Sequence, residues 1–131
     1  MTMGENLKNR PQELTKAELE IMQIIWKKEK VLVHDILAAL PEPKPAYNTV
    51  STIVRILESK GFVSHKAYGR TYEYFPAVAK EDYTNTYMRN VLNNFFDGSV
   101  SRMVNFFSAQ KSISVEETDE IIKILNGESE I

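Results

Sequence analysis

The 131-residue chain contains no cysteine. That absence removes disulfides, zinc-ribbon sites and thiol redox chemistry, and it fits a cytosolic protein. Long apolar runs are missing too. The most apolar stretch, VLVHDILAAL, is interrupted by His34 and Asp35, well short of the roughly 18 residues that span a bilayer. The opening MTMGENLKNR has no apolar segment of the signal-peptide kind, so the chain is expected to stay in the cytoplasm without direct membrane binding. Catalytic signatures are also lacking: there is no GxSxG, no HExxH and no glycine-rich phosphate loop, and neither enzymatic activity nor a cofactor is expected. His34 and His65 are the two histidines, and neither has a cysteine or a carboxylate pair at ligand spacing. No metal site follows, and His65 reads as a surface or phosphate-side group.

Charge is present but uneven. The net charge is −2, yet residues 1–75 hold 11 Lys+Arg against 9 Asp+Glu (net +2), and residues 76–131 hold 5 against 9 (net −4). Between residues 44 and 70, Lys44, Arg55, Lys60, Lys66 and Arg70 face a single acid, Glu58. A partner feels this local field more than the total, because screening acts over about 8 Å at physiological salt.

Along the chain, residues 1–13 lack periodicity and read as a mobile arm. TKAE (Thr15–Glu18) is a capping box opening a helix whose Leu19, Met22, Ile25 and Trp26 share a face. Val33, Ile36, Leu37 and Leu40 mark a second, shorter helix that Pro41 stops. PEPKP is a stiff turn, since each proline removes an amide donor. A third helix, NTVSTIVRILESKG, places Val50, Ile53, Val54 and Leu57 on one face and ends at Gly61, a natural left-handed cap. Its other face is built from Asn48, Thr49, Ser51, Thr52 and Arg55 rather than the usual Glu and Lys. FVSHKAYGRTYEYFP alternates about a turn at YGR and predicts a hairpin of two short strands. From Pro76 the composition turns acidic and aromatic at helical spacing. One helix carries Tyr83, Tyr87, Met88, Val91, Leu92, Phe95 and Phe96, a second Val100, Met103, Val104 and Phe107. A third, capped by SVEE, carries Thr118, Ile121, Ile122 and Leu125.

Helix, helix, helix, hairpin is the order of a winged helix-turn-helix. The expected fold is mainly α, with three helices and a two-stranded wing over residues 14–76 and a helical dimerisation region over 77–131. The third helix stands where a recognition helix belongs, with its N-terminal residues on base edges and the hairpin on the backbone. Asn and Thr suit base edges and phosphates, which would repel Glu or Asp. The candidate DNA-binding residues are Lys44, Tyr47, Asn48, Thr49, Ser51, Thr52, Arg55, Lys66 and Arg70. The C-terminal helices must bury their apolar faces, and a second copy supplies the surface. Tyr83, Tyr87, Met88, Val91, Leu92, Phe95, Phe107, Ile121, Ile122 and Leu125 are the candidate dimer residues. A rival reading uses the winged helix as a protein-interaction module, with the aromatic arm docking another protein.

LTKAELEIMQIIW, NTVSTIVRILESKGFVSHK, YEYFP, and MVNFF ahead of EIIKILN together resemble the penicillinase and methicillin-resistance repressors, the BlaI/MecI-type winged-helix regulators. The resemblance spans about residues 14–126. It implies a homodimeric repressor on a pseudo-palindromic operator, with winged helices on the half-sites and C-terminal helices clasping the partner. Thr49 and Thr52 match DNA-touching positions of that family and Lys66 a basic wing position, whereas Asn48 and Ser51 stand where the family usually has basic residues. In antibiotic-responsive members a membrane-bound sensor metalloprotease, activated by a β-lactam, leads to cutting of an Asn-Phe bond, and the match here is Asn105-Phe106. Copper-responsive relatives carry a cysteine cluster, which this chain lacks. A further reading keeps DNA binding but replaces cleavage with a small molecule between the C-terminal helices.

Overall fold

The computed structural model describes residues 13–110 and 114–125. The expected N-terminal arm, Glu13 apart, and the helix stop at Asn126 and Gly127 lie outside the described residues, as do the side chains of Ile122 and Leu125. Helix α1 (Lys16–Lys28) opens on the expected capping box: the Thr15 hydroxyl accepts from the Glu18 amide at 3.2 Å and the Glu18 carboxylate from the Thr15 amide at 2.9 Å. Helix α2 (Val33–Ala39) opens with the Asp35 carboxylate accepting from the Leu32 amide. Helix α3 (Tyr47–Ser59) follows the proline-rich turn. It ends as glycine allows: Gly61 has φ +88°, the Phe62 amide donates to Leu57 O, and the Gly61 amide donates to Glu58 O.

Strands β1 (Val63–Tyr68) and β2 (Thr71–Pro76) pair antiparallel, with Tyr68 opposite Thr71, so Gly69 and Arg70 form the two-residue turn. Gly69 takes φ +65°, which such a turn demands. The base of the wing is tied to the segment before α2, where Val31 and Tyr74 exchange backbone hydrogen bonds of 2.9 and 2.7 Å. Helices α4 (Lys80–Phe96), α5 (Val100–Ala109) and α6 (Val115–Leu125) complete the chain.

Two compact units divide inside α4, between Thr86 and Tyr87. The first is the winged helix. Its core joins Ile21, Met22 and Ile25 of α1, Val33 and Ile36 of α2, and Val50, Val54 and Leu57 of α3, closed by Phe62, Val63 and Tyr74. Each fully buried aliphatic side chain contributes about 1.5–3 kcal/mol relative to an exposed one. On α1 the buried stripe is rotated from the expected one: Ile21 is inside, while Leu19 and Trp26 are half-buried. Trp26 sits at the margin because its indole N–H donates to Val78 O at 2.8 Å.

Tyr83 corrects the sequence reading. Grouped there with the dimer residues, it lies in the winged-helix core, with its ring 5.6 Å from Phe62 and 6.0 Å from Trp26, and its hydroxyl accepting from the Leu14 amide at 2.9 Å. The first turns of α4 thus belong to the winged helix, which is why the unit boundary falls beyond Pro76.

The second unit is built differently. Ser99 caps α5 and the reciprocal Ser114–Glu117 box caps α6, as SVEE predicts. Among its described residues Val104 alone is buried. Phe95 is 76% exposed and Val115 78%, and Tyr87, Met88, Phe106, Phe107 and Ile124 are exposed as well.

One buried charge organises the first unit. Glu18, 5% exposed, takes the Lys60 ammonium at 2.9 Å on both carboxylate oxygens, tying the start of α1 to the end of α3. Burial opposes ionisation of Glu18, but the Thr15 amide and the Lys60 ammonium outweigh it and hold the pKa below the ordinary carboxylate value. A depressed carboxylate pKa adds stability above the unfolded value, lost as pH falls through the folded one. Glu18→Gln is expected to cost about 1–3 kcal/mol at neutral pH. Denaturant unfolding at several pH values should show the gap between variant and parent closing in acid, below about pH 4.

Candidate nucleic-acid interface

Val50, Val54 and Leu57 are fully buried, and Ile53 packs half-buried beside them. At about 100° per residue, that stripe leaves Asn48, Thr52 and Arg55 on the opposite side of α3, with Thr49 and Ser51 flanking them. All are exposed except the half-buried Ser51, and Tyr47 at the helix start is 42% exposed. No side chain caps α3 at Ala46 and no acid stands in its first turn. The positive end of the helix dipole is therefore not compensated by a side chain at this start, an arrangement suited to an anion.

Beside this face runs a groove of about 560 Å³. Tyr47, Ser51 and Arg55 of α3 form one wall, Arg70, Thr71 and Tyr72 of the wing another, and Leu32, Val33 and His34 close the end. The fold thus brings together four of the candidate DNA-binding residues, Tyr47, Ser51, Arg55 and Arg70, around one concavity. Asn48, Thr49 and Thr52 lie on the open face of α3, outside the groove. Lys66 is exposed on β1, its ammonium 5.3 Å from the centroid of Tyr68, which is itself 54% exposed.

Lys44 corrects the sequence reading. Its ammonium donates to Leu37 O, Ala38 O and Leu40 O at 3.0, 3.1 and 2.6 Å. All three of its protons are thereby committed to the carbonyl end of α2, where a cation complements the dipole. Lys60 is likewise held by Glu18 rather than free on the basic face. His65, expected as a surface or phosphate-side group, is partly buried and tied down: its Nδ1 donates to Glu58 at 2.7 Å and its ring stacks on Tyr72.

Thr71, Tyr72 and Tyr74 line the groove without having been proposed as DNA contacts, and so does His34, which the sequence brought forward only as a metal-ligand candidate. A signal existed, because strand alternation puts Tyr72 and Tyr74 on one face. Burial raises the Tyr74 hydroxyl's pKa above its usual value, with the Glu58 charge acting in the same sense, so the group stays neutral. His34 meets Tyr47 with ring centroids 4.7 Å apart. Among the described residues no cluster of three or more His, Cys, Asp or Glu could hold a metal, and no helix is long and apolar enough to cross a membrane.

Three helices, a wing docked through Val31–Tyr74, and a third helix that carries no acid from Tyr47 to Arg55 define a winged-helix protein of the nucleic-acid-binding kind. The family model described as penicillinase repressor matches residues 14–127. The penicillinase repressor of Bacillus licheniformis is 31% identical over 120 residues, covering 91% of this chain and 93% of that one. The methicillin resistance regulatory protein MecI of Staphylococcus aureus (strain N315) is 28% identical over 119 residues, covering 90% and 97%. Among solved structures, the DNA-binding domain of the repressor BlaI aligns with a TM-score of 0.49 at 30% identity, over 57% of this chain and 92% of that one. The monomeric form of Bacillus licheniformis BlaI in complex with the blaP half-operator aligns with a TM-score of 0.47 at 28% identity, over 56% and 90%. The chain belongs to the penicillinase repressor family, whose members are repressors and not enzymes.

Lys44→Ala separates a structural lysine from a DNA-contacting one. The substitution is expected to lower stability by about 0.5–1.5 kcal/mol in the absence of any DNA, read from urea unfolding.

Proposed function

We propose that this chain represses transcription as a homodimer bound to a pseudo-palindromic operator, each protomer laying α3 in a major groove with the wing on the adjoining backbone. The observation that carries the reading is the outward face of α3, where short hydrogen-bonding side chains and one guanidinium stand without an acid beside an uncapped helix start. Asn48, Thr49, Ser51 and Thr52 are the base-edge candidates, with Tyr47 at sugar or thymine methyl. Arg55, Lys66 and Arg70 go to phosphates. Lys44 is left out, since its protons are already used.

The second unit supports self-association. A chain segment with one buried residue among those described and several exposed phenylalanines has no sufficient core of its own. Tyr87, Met88, Val91, Leu92, Phe95, Phe107, Ile121, Ile122 and Leu125 are the proposed dimer residues. Joining two half-site readers raises affinity by about 10² to 10⁴ over one alone through effective concentration.

Release would follow from cutting at Asn105-Phe106, under a membrane-bound sensor metalloprotease system of the β-lactam-responsive type. Both residues are exposed, and the bond lies in a ten-residue helix, α5. A helix that short is marginal by itself, so opening it for a protease costs little. Cutting would detach residues 106–131 from the reading heads and end the avidity without altering the DNA-facing surface.

Two measurements check these statements. Arg70→Ala is expected to weaken binding to all duplexes alike and to reduce the salt slope by about one, while Thr52→Ala costs about 1–3 kcal/mol and changes base preference. An unchanged salt slope for Arg70→Ala refutes the wing contact. Asn105→Ala is expected to stay intact and keep repressing under inducing conditions in its host; full inducibility of that variant refutes the cleavage site.

A further inference from the structure

Glu58 is the one acid between residues 44 and 70, and it lines the same groove as Arg55 and Arg70. A carboxylate acting there by its charge alone would repel the phosphate backbone and weaken binding. Its surroundings give it another task. The carboxylate accepts from His65 Nδ1 at 2.7 Å, linking the last turns of α3 to β1, and the two side chains are 34% and 29% exposed. The His65 ring in turn stacks on Tyr72 of β2, with centroids 4.1 Å apart and planes 14° from parallel. Tyr72 meets Tyr74 edge-on, and Tyr74 is the residue that anchors the base of the wing to Val31. One line of contacts therefore runs from α3 across both wing strands to the wing's foot.

We propose that Glu58 is a positioning residue for DNA binding. Through His65 and Tyr72 it fixes the angle of the wing to α3, so that Arg55 and Arg70 face one groove and share one stretch of backbone phosphate. The inference rests on the DNA-binding reading above. Electrostatics gives its test a sign: deleting a carboxylate from a basic face tightens DNA binding if the charge acts directly, and weakens it if the carboxylate holds the wing.

The experiment is a fluorescence anisotropy titration of the full chain against the duplex upstream of its own gene, at several salt concentrations, with thermal unfolding of each variant in parallel. Glu58→Ala is expected to bind about tenfold more weakly, with a salt slope smaller by about one as Arg70 loses its phosphate. Glu58→Gln, whose side-chain oxygen still accepts from His65, should stay within about threefold of the parent and keep the slope. His65→Phe retains a ring to stack on Tyr72 but has no proton for Glu58, and it should lose affinity and slope as Glu58→Ala does. It serves as the probe if Glu58→Ala unfolds. Parent-like or tighter binding by Glu58→Ala or His65→Phe overturns the positioning role and leaves the DNA-binding reading standing. A parent protein with no salt-sensitive affinity for this duplex or a scrambled one overturns both.

Discussion

Burial of Val50, Val54 and Leu57 fixes the rotation of α3 about its own axis, and the candidate interface follows from that. Once those three side chains are inside, Asn48, Thr52 and Arg55 have nowhere to be but outside. The two ends of the helix are held by charges. Lys60 pins its C-terminal end to Glu18 at the start of α1, and Lys44 ties the entering turn to the carbonyls that end α2. The polar face is thus presented by a helix whose roll, start and end are each determined by a separate contact.

The same charges explain how much of the interface was legible in the sequence. The outward face of α3 was readable because helical periodicity and side-chain chemistry are both local. The capping boxes at Thr15 and Ser114 and the left-handed Gly61 were readable for the same reason. The partners of Lys44, Lys60 and His65 were not. A count of basic residues between 44 and 70 treats them as equivalent, whereas the fold spends Lys44 on helix carbonyls and Lys60 on a carboxylate 42 positions away, and joins His65 to Glu58. Arg55, Lys66 and Arg70 remain exposed, and they are the cations proposed for phosphate contact.

Tyr83 carries a related lesson. Its spacing to Tyr87 and Val91 is helical, and periodicity alone cannot say that α4 begins in one unit and ends in another. The hydroxyl's contact with the Leu14 amide and the ring's with Phe62 decide it. Beyond Thr86 the balance of burial reverses, and Phe95 stands 76% exposed. The first unit carries its own core and the outward face of α3; on the proposed function, the second would supply the avidity that cleavage removes.

Everything proposed for this protein depends on whether the outward face of α3 reads duplex DNA. That is tested most directly by titrating the intact protein against the labelled duplex upstream of its own gene, beside a scrambled duplex, across a series of salt concentrations. Preference for the upstream duplex, two protomers per site, and an affinity that falls steeply with salt are expected. Absence of salt-sensitive binding to either duplex would contradict DNA reading by α3 and leave the winged helix as a protein-interaction module.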